Sequence, residues 1–89
     1  MHELSIITNL ITFLEKLCKK EKAKRVIGLN ININPLSCLD QDNLNFMFSS
    51  MVKGKKYLEN AKINVKRGDD PLTREVIIEN VEIEVEDGN

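Results

Sequence analysis

The sequence predicts an α+β fold: a two-layer sandwich with two helices packed on one face of a three-stranded sheet, the elements following in the order α-β-α-β-β. Three observations carry this expectation. Apolar residues recur at spacings of three and four in two segments, and they alternate with polar residues in three others. Each alternating segment has one apolar and one polar face, so the sheet has a single side for the helices to cover.

The first helix runs from Leu4 to about Cys18, with Ile7, Leu10, Ile11, Leu14, Leu17 and Cys18 as its apolar stripe. Its basic end (Lys16, Lys19, Lys20, Lys22, Lys24 and Arg25) suits the negative pole of the helix dipole and reads as a solvated helix end. In "RVIGLNININP", Ile27, Leu29, Ile31 and Ile33 alternate with Gly28, Asn30, Asn32 and Asn34, the period of a strand with one buried face. Pro35 ends it by withdrawing an N–H donor. Leu44, Met47, Phe48 and Met51 form the second helical stripe, with Asp40 or Asp42 placed as N-cap and Gly54 as the stop. In "AKINVKR", Ala61, Ile63 and Val65 face one way, and Lys62, Asn64 and Lys66 the other. After the turn signal "GDDP", the last strand turns Val81, Ile83 and Val85 inward and Glu82, Glu84 and Glu86 outward. Lysines on one strand and glutamates on the next favour pairing these two as neighbours through a hairpin turn. The apolar parity slips at Glu79 and Asn80, as at a bulge.

Eighty-nine residues with 42% hydrophobic and 30% charged side chains make one small globular domain, residues 1–89. A net charge of −1, one Tyr and three Phe give neither the basic footprint nor the stacking platform of a nucleic-acid binder. No apolar run approaches the roughly 20 residues of a membrane span, and the first segment lacks the basic region and cleavage site of a secretory signal. Two cysteines without an export signal suit a reducing cytoplasm. An enzyme is not expected, since there is one His, no phosphate-binding Gly-rich loop, no recognisable nucleophile setting and no H-E-x-x-H.

The chemistry that remains is at the start, "MHELS". A free α-amine on Met1, the amide nitrogen of His2 and its imidazole Nδ1 can close two fused chelate rings around one cation. Such nitrogen donors suit square-planar Ni(II) or Cu(II), with the fourth position left to the Glu3 backbone nitrogen, a side chain or water. The bulk of His2 favours retention of Met1. From residue 2 alone, an idle solvated histidine is the competing reading.

The chain also resembles the HypA family of nickel-insertion accessory proteins, which serve nickel–iron hydrogenases and, in some bacteria, urease. "MHELSI" is the family's own opening, and "ININPLS" resembles its strand ending in I-G-E-L-S. "LNFMFSSMVKGK" is similar to E-F-A-F-E-x-x-x-x-G-T, "AKINVKR" to A-x-L-x-I, and "REVIIENVEIE" to R-E-L-x-V-x-S-I-E. The resemblance implies that His2 ligates nickel, that the Met1 amine acts with it, and that Glu3 contributes a backbone nitrogen or a close carboxylate. Asp40 falls where some members carry an acidic residue supporting the metal; helix capping is its alternative role.

In the family a zinc segment with two C-x-x-C pairs is inserted between the second and third strands. This chain has "GDDPLT" there and no C-x-x-C, so structural zinc is not expected. Such a chain reads as a natural minimal homologue or an excised nickel domain. Cys18 belongs to the core stripe, and Cys38 lies close in sequence to Asp40 as a conceivable soft ligand. The implied function is to hold Ni(II) for maturation of nickel–iron hydrogenase or another nickel enzyme. The implied partners are a GTPase of nickel insertion and the hydrogenase large subunit, with neither nucleic acid nor membrane. The alternative is a family-derived protein-interaction module that no longer delivers metal.

Overall fold

Residues 3–86 are described by a computed structural model of the protein. The first apolar stripe forms α1, Glu3–Glu21, whose Ile7, Leu10, Ile11, Leu14 and Cys18 are buried. Glu3 in its first turn and Lys19 and Lys20 in its last complement the helix dipole. One residue, Lys22, in the left-handed region (φ 53°), turns the chain directly into β1, Ala23–Ile33. α1 therefore runs back along β1, antiparallel to it. After a loop, α2 (Gln41–Met51) leads to β2 (Lys62–Arg67), and a second loop leads to β3 (Val76–Val85). Among the described residues no helix is long and apolar enough to cross a membrane.

The two-layer α+β arrangement and element order are as the sequence predicts, but the strand pairing is not. The sheet order is β2-β1-β3, with β1 parallel to β2 and antiparallel to β3. β2 and β3 are thus opposite edges, and the expected hairpin of lysine-bearing and glutamate-bearing strands does not form. A charge pair across a ladder is worth about 0.2–1 kcal/mol. Burying the most apolar strand between two others, with α2 as the crossover that a parallel pair requires, outweighs that. Residues 68–75 instead pass across the end of β1. Gly68 N–H donates to the Ile33 carbonyl (2.8 Å), and Asn34 N–H to the Glu75 carbonyl (3.0 Å).

Three register shifts interrupt the β1–β3 ladder. One leaves Glu79 unpaired between Ile78 and Asn80, which accounts for the parity slip in the sequence. The other two fall on β1 at Lys24 and Ile27. The second overturns the expected inward place of Ile27. It is 43% exposed, while Val26 takes the core position at 1%. Met51 and Val85 are also exposed rather than inward. The core between the layers consists of Val26, Leu29, Ile31 and Ile33 of β1, Ile63 of β2, the α1 stripe, and Leu44 and Phe48 of α2. Leu39 before α2 and Val52, Leu58 and Ala61 beyond it complete the core.

The opposite sheet face is open and mostly polar, with Ile27 and Ile77 exposed, and is joined across strands by Asn30 Nδ2 to Asn80 Oδ1 (2.6 Å) and Asn32 Nδ2 to Glu79 Oε2 (3.3 Å). The outer edge of β2 is closed by side chains of α2. Asn45 accepts the Ile63 N–H and donates to the Ile63 carbonyl, both at 2.8 Å, and Gln41 Oε1 accepts the Val65 N–H (2.8 Å). Beyond α2, the Glu15 carboxylate of α1 receives Lys55 Nζ and, at 3.4 Å, the Tyr57 hydroxyl.

Replacing Asn45→Ala leaves the part-buried N–H and carbonyl of Ile63 without partners. A loss of about 1–3 kcal/mol in urea unfolding is expected, larger than for Asn43→Ala on the exposed side of the same helix. The hydrogen bond from Lys55 holds the Glu15 carboxyl below its ordinary value of 4.5; desolvation opposes it, and the charge of Lys55 and the Tyr57 hydroxyl add smaller effects in the lowering direction. A carboxyl depressed in the folded state stabilises above its unfolded value, and that contribution disappears as pH falls through the folded one. Glu15→Gln should therefore flatten the fall in stability on acidification below about pH 5, measured by urea melts at stepped pH.

Candidate metal centre

The topology brings three segments to one end of the molecule. α1 and the α2 crossover both run antiparallel to β1, so their N-termini lie side by side at its C-terminal end. Two contacts fix that parallel arrangement: Asn43 Nδ2 donates to Glu3 Oε2 (3.2 Å) at the helix starts, and Glu15 meets Lys55 near the helix ends. The loops 34–40 and 68–75 close the same end.

Asp40 is the N-cap of α2. Its backbone is extended (φ −130°, ψ 133°), and its Oδ2 accepts the Asn43 N–H at 3.0 Å. Of the two residues the sequence offered for the cap, the geometry selects Asp40, with Asp42 in the first turn. Asn43 thus has two roles. Its main chain is capped by Asp40 while its side-chain amide binds Glu3. Glu3 and Asp40 are consequently tied to one residue although 37 positions separate them in the chain. The positive ends of two helices converge here, and the carboxylates of Glu3, Asp40 and Asp42 offset them.

Asn43 was not singled out by the sequence. Its signal is faint: it occupies the third helical position after the cap, where a capping box would place Glu or Gln. Arg67, the last residue of β2, was also missed. Its guanidinium donates to the carbonyls of Ser37 (2.8 Å), Leu39 (3.2 Å), Pro35 (3.3 Å) and Asn34 (3.4 Å), gathering the loop that delivers Asp40. Two of these bonds, to Ser37 and Leu39, lie within the ordinary distance range and two are longer, so the clamp acts by number rather than by one strong bond. Cys38 lies in that loop, exposed, while Cys18 is buried and its thiol is pushed above the ordinary value by desolvation.

Met1 and His2, the principal expected ligands, lie outside the described residues. Among the described residues no three His, Cys, Asp or Glu side chains gather as a metal-holding group. The structure therefore unites Glu3 with Asp40 through Asn43, in the position directly following His2 in the chain.

Comparison with known proteins gives a consistent result. Residues 1–75 match a family described as "Hydrogenase/urease nickel incorporation, metallochaperone, hypA". A hydrogenase maturation factor HypA of Actinobacillus succinogenes is 33% identical over 64 residues, covering 72% of this chain and 56% of the relative. A hydrogenase maturation factor HypA of Methanocella arvoryzae is 34% identical over 53 residues, covering 60% and 47%. The chain spans about half the length of these curated relatives. The solution structure of the nickel metallochaperone HypA from Helicobacter pylori shares the fold, with a TM-score of 0.78 at 17% identity over 97% of this chain and 100% of that one. With a family match reaching from its first residue through the loop before β3, the chain belongs to the HypA family.

Proposed function

We propose that this chain is a nickel-holding metallochaperone domain that carries Ni(II) as cargo at its N-terminus. The Met1 amine and the amide and imidazole nitrogens of His2 form the chelate, Glu3 completes or flanks it, and Asp40 lies beside it as a supporting carboxylate. The observation that carries this reading is the tie from Glu3 through Asn43 to the Asp40 cap, at the start of a sequence whose family match begins at residue 1. A terminal chelate suits hand-over, because its donors can be exchanged one at a time without opening the core. The cargo is destined for a nickel–iron hydrogenase or another nickel enzyme, with transfer in the cytoplasm to a GTPase of nickel insertion or to the hydrogenase large subunit. No structural zinc takes part in this reading, and no reaction is catalysed. The interaction-module reading keeps one observation in its favour: the chain spans only about half of its curated relatives.

Titration with Ni(II) of untagged protein bearing an authentic Met1 amine should give one metal per chain and the optical bands of square-planar nickel. One Gly added before Met1, or His2→Ala, should abolish that signal while leaving the circular dichroism unchanged. Equal binding by all three proteins, or none by any, would favour the interaction module. Since binding displaces protons from amine, amide and imidazole, affinity should fall as pH is lowered. Cu(II) should compete effectively, as the general stability order places it above Ni(II). Asp40→Ala should cost about 1 kcal/mol of stability through the lost cap, with or without metal. It should also weaken nickel by about 10–100-fold, as expected for a supporting group, whereas Asp42→Ala should leave nickel affinity unchanged.

A further inference from the structure

The two sheet edges are finished differently. Asn45 and Gln41 of α2 occupy the outward main-chain groups of β2, as a neighbouring strand would. β3, ten residues long, pairs with β1 on one side. Among the described residues neither main chain nor side chain bonds its other side. A row of unpaired N–H and C=O groups of this length is a template for another strand.

The inward face beside this edge is also incompletely covered. Val76, Ile78, Val81 and Ile83 are half-buried, whereas Val26, Leu29, Ile31 and Ile33 of β1 are at most 1% exposed. Between the first turns of α1 and the start of β3 lies a trough of about 210 Å³, lined by Ile6, Asn9, Leu10, Val76 and Ile78. Outside, the strand carries Ile77 and Asn80 and an acidic stretch of Glu79, Glu82, Glu84 and the adjoining Glu86. Of these, Glu84 is paired with a cation among the described residues, through Arg25 at 2.5 Å.

These features select the occupant. A strand added to β3 directs alternate side chains to the trough and to the acidic side. A second β3 would set glutamates against glutamates, which is unfavourable. An extended segment alternating aliphatic residues with Lys or Arg meets both faces. We infer that the open β3 edge and its adjoining trough dock such a basic segment of a partner protein as a fourth strand. Its aliphatic side chains pack on Ile6, Leu10, Val76 and Ile78, and its cations lie over the glutamates. Main-chain pairing supplies the affinity and the alternating pockets the specificity. The inference does not require metal.

The test uses the full chain and synthetic nonapeptides with blocked ends, alternating Lys with Val, Glu with Val, or Lys with Gly. Binding is followed by NMR titration and amide hydrogen exchange. The expected result is that the Lys–Val peptide slows exchange within Val76–Val85, more weakly at high salt. The other two peptides should not protect the strand. Glu82 and Glu86 are exposed, and Glu82→Lys combined with Glu86→Lys should weaken the Lys–Val peptide roughly tenfold without altering the far-ultraviolet spectrum. The inference is overturned by absence of protection on β3, by equal binding of the Glu–Val peptide, or by indifference to the double substitution. Concentration-dependent self-association of the protein that protects β3 would also overturn it, by assigning the edge to a second copy.

Discussion

The structure depends on β1 having two unlike neighbours. From Gly28 to Ile33 β1 is flanked on both sides, and its inward positions there take the residues best suited to burial: Leu29, Ile31 and Ile33. Its partner on one side is parallel and on the other antiparallel. The parallel partner obliges the chain to return over the sheet before pairing, and α2 is that return. The antiparallel partner can then start where β2 stops, provided the connection crosses the end of β1. The helix layer, the open polar sheet face and the placement of every loop follow from this single arrangement.

One outcome is that the residues of the candidate centre are gathered at one end. Both helices begin at the end of the molecule where β1 finishes, so the start of α1 meets the cap of α2 without any loop having to reach across. Glu3 is positioned by a helix, Asp40 by its capping geometry, and Asn43 by both. The loop before Asp40 is irregular, yet Arg67 gathers four of its carbonyls from the last position of β2. Support of this kind lets a surface carboxylate keep its place without a buried pocket around it.

The elements were largely legible because each is amphipathic at its own period. The stripe of α1 and the alternation of β2 are kept in the structure, the α2 stripe is kept except at its last member, Met51, and the slip at Glu79 was readable as an interruption of period two. A second interruption was not readable. In "RVIGLNI" the local alternation of Ile27, Leu29 and Ile31 points to Ile27 as inward, but pairing with β3 places an extra residue there and turns Val26 inward instead. Strand order failed for a different reason: surface charge patterns are weak beside the burial of the central strand. At the candidate centre, the resemblance pointed to Glu3 and Asp40, but their connection through Asn43 is a tertiary contact between positions 40 apart. The Asn45 closure of the β2 edge and the Arg67 clamp are of the same kind, with no local pattern to announce them.

The connection from β2 to β3 is pinned at both ends to two consecutive residues, the last of β1 and the one after it. The Ile33 carbonyl holds Gly68, and the Asn34 N–H holds Glu75. Its interior, by contrast, is tethered through the side chain of Asn34 to the carbonyls of Pro71 and Thr73 and by the local turn at Asp70. The fold therefore possesses a splice site whose two lips are held by main-chain bonds that do not involve the residues between them. Loop-closure entropy grows by only about 0.6 kcal/mol for each doubling of length. A whole foreign module whose own ends lie close together can be carried there as a passenger, while the single-residue turn at Lys22 offers no such freedom.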